Sequence, residues 1–180
     1  MKKIIVFIMA VGAVALANAA AVDWSASGIV DVAATAAAGK NTPANGWLGY
    51  LIMASDLDTI TADLANGNTD SLIAGAVGAT KTTSNKGAFL TGAATGNVAA
   101  GSQSFYMIVL NAGTADTAKA YYVSQMVTKD VDASLDTTIA FGSQAANSKN
   151  ADNWKAIPEP TSAMLMLVGL AGLALRRRRA

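Results

Sequence analysis

The chain has 180 residues and contains no histidine and no cysteine, so it has room for one domain plus processing segments, and it excludes His- or Cys-based catalysis and a disulfide framework. Six of the 13 basic residues lie at the two ends, so residues 20–157 hold seven lysines against eleven aspartates, a net charge of −4. An acidic body without a basic cluster excludes nucleic acid as a partner, because phosphate contacts come from lysine and arginine.

The N-terminus has the three parts of a secretory signal peptide. Two lysines at positions 2–3 precede an apolar run at 4–16, and Ala17 and Ala19 supply the small side chains that signal peptidase accepts. We therefore expect export by the Sec machinery and cleavage after Ala19, with cleavage after Ala21 as the second choice. An uncleaved anchoring helix is the alternative, which the short apolar run disfavours.

We call the segment after the signal peptide the passenger. Its first half is predicted to contain two strands and a helix. Short apolar runs at 28–32 and 47–53 indicate the strands, with turn residues between them. Between residues 56 and 67 apolar side chains recur at helical spacing, which predicts a helix of about two turns. An aspartate can serve as its N-cap, and Gly67 suits the position after its last turn.

Strand patterns dominate the second half. The stretch 71–79 is apolar and fits either a helix or a buried strand, whereas 89–95, 104–110, 121–128 and 137–141 all favour strands. The run at 104–110 is so continuously apolar that we expect it to lie centrally, with both faces covered.

Six or seven short strands with one or two short helices predict a mainly β, antiparallel, sandwich-like passenger. A signal helix at the N-terminus and a hydrophobic helix at the C-terminus are expected to flank it. The chain thus divides into a signal peptide (1–19), a passenger domain (20–141), a polar spacer (142–157) and a C-terminal segment (158–180).

The C-terminal segment combines three features. Pro158, Glu159 and Pro160 form an extended triplet, because proline disfavours helix both at its own position and at the residue before it. An uncharged run follows from Thr161, through Leu165, Leu167, Leu170 and Leu173, to Leu175. As a helix this run measures about 22 Å, against a hydrocarbon core of about 30 Å. It can therefore insert if the arginine side chains that follow it extend their charged ends out to the membrane surface.

Four arginines follow the apolar run, namely Arg176, Arg177, Arg178 and Arg179. Positive charge stays on the cytoplasmic side, so the passenger is expected to lie outside the inner membrane.

This order of motif, apolar run and arginine cluster resembles the PEP-CTERM sorting signal of Gram-negative bacteria. The resemblance implies that exosortase, a membrane-embedded cysteine protease or transpeptidase, recognises Pro158, Glu159 and Pro160 and cuts nearby. It further implies that residues 161–175 are a transient span in the inner membrane and that the arginines retain the precursor until it is cut. The protein would then reach the cell surface or an extracellular matrix. An ordinary C-terminal anchor is the alternative.

Nothing in the passenger indicates enzymatic chemistry, and we expect no enzyme, no cofactor and no metal. The only glutamate of the chain is Glu159, so a carboxylate pair would have to come from the aspartates, with those at 56, 58 and 63 as first candidates. The aspartate-rich stretch 130–136 offers oxygen ligands at alternating positions but lacks the turn glycine of a calcium loop. Whether it binds calcium stays open.

Trp24, Trp47 and Trp154 are candidate ligand aromatics, because indole faces stack on sugars, although such side chains more often anchor a core. We expect a structural or interaction protein of the surface or of an exopolysaccharide-containing biofilm matrix. A secreted carbohydrate-binding module associated with exopolysaccharide is the alternative, favoured if two tryptophans lie exposed and coplanar on one sheet face.

Overall fold

A computed structural model describes residues 20–31, 42–43, 46–84 and 88–159. Over these residues the passenger is mainly β: two sheets pack face to face, and short helices cover the outer side of one of them. The predicted mainly β class, with antiparallel sheets and few helices, is thereby confirmed. The expected signal helix and C-terminal helix lie outside the described residues.

The strands are β1 (Ala20–Asp31), β2 (Thr42–Pro43), β3 (Leu48–Met53), β4 (Ala76–Lys81), β5 (Thr83–Ser84), β6 (Ala88–Val98), β7 (Gly101–Leu110), β8 (Ala120–Val123), β9 (Val127–Val131), β10 (Thr137–Ser143) and β11 (Trp154–Ala156). The α-helices are α1 (Leu57–Ala65), α2 (Asp70–Gly75) and α3 (Ala145–Ser148). Single 3-10 turns occupy Ala54–Asp56, Ala115–Thr117 and Ala151–Asn153.

The first sheet has the order β10-β1-β6-β5, with β2 added on β1, and the second has the order β11-β8-β7-β3-β4, with β9 added on β7. The described pairs are antiparallel except that of β1 with β10, which is parallel. This departs from the all-antiparallel expectation. The turn at 132–136 carries the chain from the second sheet to the first, so β10 does not form a hairpin with its predecessor within one sheet.

The strand β1 begins far earlier than the predicted 28–32. Val22, Trp24 and Ala26 point into the core between the two sheets, whereas Asp23 is exposed and Ser25 is partly exposed on the other face. This alternation is the period of a half-buried strand, and it places the start of the passenger in the core from its first described residue.

The central strand β7 is covered on both faces, as predicted for its apolar run. Phe105, Met107 and Val109 face the first sheet in one buried cluster, and Ile108 and Leu110 lie in a second cluster on the helix side. Because β3 pairs along one edge of β7 and β8 and β9 along the other, this strand is the centre of the second sheet.

The helix α1 covers the second sheet with Ile60 and Leu64, and Gly67 takes the C′ position after its last turn, as predicted. Gly67 has a φ of +78° and donates its N–H to the Leu64 carbonyl at 3.1 Å, and the N–H of Asn68 reaches the Asp63 carbonyl at 2.9 Å. These two bonds make a Schellman motif, in which glycine takes the left-handed position. The ambiguous stretch 71–79 turns out to hold both alternatives, the end of α2 and the start of β4.

The predicted strand 121–128 is interrupted by a β-bulge. Two residues of β7, Tyr106 and Met107, face the three residues 124–126, so the register shifts by one between β8 and β9. The Ser124 hydroxyl accepts the Met107 N–H at 2.9 Å in place of a ladder carbonyl. A bulge of this kind bends the strand and increases its local twist.

Residues 142–157, predicted to be a polar spacer, belong instead to the folded body. The buried Gln144 donates its N–H to the Ser27 carbonyl at 2.7 Å. The hydroxyl of Ser148, which is fully buried, accepts the Val30 N–H at 3.1 Å and donates to the Gly28 carbonyl at 3.2 Å. The Gln144 backbone and the Ser148 hydroxyl therefore continue the pairing of β1 beyond the end of β10, which is why a polar stretch is ordered here.

We expect Ser148→Ala to lower the free energy of unfolding by about 1–3 kcal/mol, because it leaves the buried Val30 N–H without an acceptor. Ser143→Ala is the matched control: its side chain is exposed and its bond to the Ala145 N–H is long, at 3.5 Å. That control is expected to change stability by less than about 0.5 kcal/mol. Urea unfolding of the passenger would measure both, and equal losses would contradict the role given to Ser148.

Trp24 of β1 lies across from Gly92 of β6, and a Cβ built on Gly92 would clash with the indole Nε1. We expect Gly92→Ala to lower the free energy of unfolding by about 1–3 kcal/mol, since an overpacked site forces shifts of side chain and backbone. Gly75→Ala is the control, because its Cβ would meet only Ile60 Cδ1, at 3.4 Å. Thermal unfolding that ranks the two variants equally would refute this packing account.

Candidate functional site at the C-terminal junction

The end of the passenger is fixed to the second sheet by β11. This strand pairs antiparallel with β8, with Trp154 opposite Tyr122 and Ala156 opposite Ala120. One residue further, Ile157 donates its N–H to the Lys119 carbonyl at 2.8 Å and is only 7% exposed. The folded body therefore extends to Ile157.

Two of the three sorting-motif residues are described, and both are exposed. Pro158 and Glu159 follow Ile157 directly, and Glu159 Oε1 lies 3.2 Å from Lys119 Nζ. The side chains of this ion pair are 58% and 74% exposed, respectively. Because water and salt screen such pairs, the contact holds Glu159 near the fold but adds little to stability.

Most of the other predicted targeting residues lie outside the described part of the chain. This applies to Ala17, Ala19, Pro160, the apolar run 161–175 and the arginines 176–179. None of the helices in the described ranges is long and apolar enough to cross a membrane.

The first described residue bears on the predicted signal-peptidase site. Ala20 pairs with Val98, is 2% exposed and belongs to the core between the sheets. Cleavage after Ala19 would keep every described residue of this strand, whereas cleavage after Ala21 would remove the buried Ala20 from it.

The tryptophans do not form the stacking platform considered as the alternative to core anchors. Trp24 is 1% exposed in the core. Trp47 and Trp154 are partly buried and meet edge to face, with ring centroids 5.6 Å apart and an interplanar angle of 84°. Trp154 also packs on Tyr122 at 5.6 Å and donates its indole N–H to the Ser148 carbonyl at 2.9 Å. A sugar platform needs exposed, coplanar rings, so the geometry gives the carbohydrate-binding alternative no support.

A neutral cavity of about 230 Å³ opens where β8 ends. Its lining consists of Tyr122, Val123, Ser124, Gln125, Asn147 and Asn153. The Tyr122 hydroxyl donates to Gln144 Oε1 at 2.6 Å, and the Ser124 hydroxyl donates to the Gln125 carbonyl at 2.9 Å. These hydroxyls serve the fold, and the uncharged lining does not suit a phosphate or a metal ion.

The aspartates considered for catalysis lie in and next to the helix α1. Asp56 ends a 3-10 turn, Asp58 is in the first turn of α1, and Asp63 is in its last turn. In the turn at 130–136, Asp132 Oδ1 accepts the Ser134 N–H at 2.7 Å, which is an ordinary turn contact. Within the described ranges no three acidic residues come together in a way that could hold a metal ion.

The sequence interpretation missed Lys119, Gln144 and Ile157, which hold the end of the chain. A signal existed in the apolar pair Trp154 and Ile157, which stands out in an otherwise polar stretch. Gln144 and Lys119 act through partners that are remote in sequence, so no local pattern could have indicated them.

In the comparisons with known proteins, a family model described as the PEP-CTERM protein-sorting motif matches residues 156–179. The chain thus carries a C-terminal signal of the kind that marks exported, surface-directed proteins. That signal is the PEP-CTERM sorting motif, which implies exosortase-dependent sorting, as the sequence resemblance predicted. Neither the curated proteins nor the solved structures gave a match to this chain.

Alkaline unfolding tests the polar contacts behind this junction. Burial raises the pKa of Tyr121 and of Tyr122 above 10.0, and a hydrogen bond with the Asn147 side chain opposes the second shift in part. The folded state therefore holds these protons more tightly, and the stability they provide is present below pH 10 and is lost as the pH rises through the folded pKa.

We expect the urea midpoint to fall above pH 10, and to fall less steeply in Tyr122→Phe than in the natural chain. The comparison concerns the slope with pH, because the variant also loses its bond to Gln144 and starts from a lower stability. Parallel curves for the two proteins would show that Tyr122 does not contribute to the alkaline transition.

Proposed function

We propose that this protein is an exported component of the cell surface or extracellular matrix, with a structural or interaction role, which exosortase processes at its C-terminus. The observation that carries the proposal is the position of the motif. Ile157 is the last buried residue in the described part of the chain, and the exposed Pro158 and Glu159 follow at once. Everything after Ile157 can be removed without taking a residue from the described core.

The N-terminal boundary supports the same route. Because Ala20 is buried in β1, removal of a signal peptide after Ala19 keeps every described residue of the core. The precursor would cross the inner membrane through the Sec machinery, and residues 161–175 would hold it there briefly. The arginines 176–179 would keep the precursor in place until exosortase cuts.

A structural or interaction role fits the way the passenger uses its polar groups. The backbone N–H of Gln144 and the hydroxyl of Ser148, both buried residues, bond to the backbone of β1. The Tyr122 hydroxyl likewise bonds to Gln144. Polar groups committed in this manner maintain a fold and are not free for acid–base chemistry. The acidic excess keeps such a surface solvated.

The experiment that tests this proposal is the intact mass of the protein recovered from the envelope and from the medium of a host that carries exosortase. We expect the natural chain to begin at Ala20 and to end near Pro160. Glu159→Ala is expected to stay in the membrane at full C-terminal length, because the altered residue lies in the recognised triplet.

Asp152→Ala serves as the matched control, since Asp152 is an exposed acidic residue upstream of the motif. It should be processed like the natural chain. If the natural chain and Glu159→Ala both keep the arginines, the tail is an ordinary anchor and the proposal is wrong.

A further inference from the structure

The sorting motif is attached to the fold without a linker. The last backbone bond of the body, from the Ile157 N–H to the Lys119 carbonyl, lies one residue before Pro158. Glu159 itself is paired with Lys119. We propose that β11 together with Ile157 acts as a strap that must leave β8 before the motif is cut, so that the folded passenger limits its own processing. This inference rests on the proposed processing by exosortase.

The chain between the folded body and the predicted membrane span is very short. Only residues 158–160 separate the buried Ile157 from the predicted membrane span, and three extended residues cover at most about 11 Å. A processing enzyme that binds its substrate as an extended strand needs free backbone donors and acceptors on both sides of the bond it cuts. On the upstream side those groups belong to β11 and Ile157, which β8 and Lys119 already occupy.

The strap has specific anchors at its two ends. Trp154 packs on Trp47 and Tyr122 and donates its indole N–H to Ser148, and Ile157 is buried in the helix-side cluster. Between these anchors, Lys155 and Ala156 are exposed. Two apolar anchors hold the strap closed, while a three-residue edge strand is short enough to open locally without unfolding the sandwich.

The register of β11 on β8 provides a direct test. Since Ile157 bonds to the Lys119 carbonyl, the pair of Ala156 with Ala120 is one residue away and is a non-hydrogen-bonded pair. In such pairs the Cα atoms lie about 4.5 Å apart, which is within the range that a disulfide spans. The natural chain has no cysteine, so Ala120→Cys with Ala156→Cys would create a single cross-link that locks the strap.

The full-length precursor with both substitutions would be followed by pulse labelling in a host that carries exosortase, with and without a reductant. We expect the cross-linked chain to be cut at least about tenfold more slowly than the reduced chain, because cleavage depends on the population of the open state. Each single-cysteine variant should be cut at the natural rate in both conditions.

A second variant separates a closed strap from a simple clash of the cross-link with the enzyme. About six glycine and serine residues inserted between Ile157 and Pro158 would give the motif flexible reach while β11 stays paired. We expect this insertion to speed up processing of the natural chain and to restore processing of the cross-linked one.

Equal rates for the cross-linked and reduced chains would overturn the proposal. It would also fail if the insertion left processing of both chains unchanged. If even the natural chain is never cut, while Glu159→Ala behaves identically, then processing by exosortase itself is wrong, and the strap has no enzyme to exclude.

Discussion

Burial of β7 on both faces is the constraint on which the rest of this structure depends. A strand whose consecutive residues Met107, Ile108 and Val109 are all fully buried cannot leave either side of its sheet in water. The first sheet covers one side and the helices α1 and α2 cover the other. This arrangement explains why a chain without disulfides forms a stable body: it has two apolar clusters that share one sheet.

The second sheet also holds the C-terminal strand of the folded body, β11. Its edge next to β8 is occupied by β11, and the polar segment before β11 is itself fastened by Gln144 and Ser148 to the backbone of β1. The C-terminal part of the passenger thus contacts both sheets. The last buried residue in the described part of the chain, Ile157, immediately precedes the sorting motif.

Sequence patterns predicted the features that depend on local chemistry. The apolar run of β7 and the glycine that ends α1 were both recognisable, since burial on two faces and a left-handed φ each leave a direct mark on residue type. The early part of β1 was missed although Val22, Trp24 and Ala26 alternate with polar residues, because these positions adjoin the signal peptide. The role of residues 144–157 could not be predicted: Ser148 bonds to Val30 and Gly28, which are more than a hundred positions away in the chain. The motif at 158–160 was recognisable from the sequence, because a sorting motif consists of consecutive residues.

The position of β11 has a consequence for how this protein behaves at high local concentration. An open sheet edge offers unpaired N–H and C=O groups to other chains and is a common starting point for aggregation. Here the strand that closes the edge presents an exposed lysine, Lys155, and is followed two residues later by Pro158, which has no N–H to donate. The end of the passenger therefore also terminates growth of the sheet, and a mature protein crowded with its own copies keeps this edge from becoming a template.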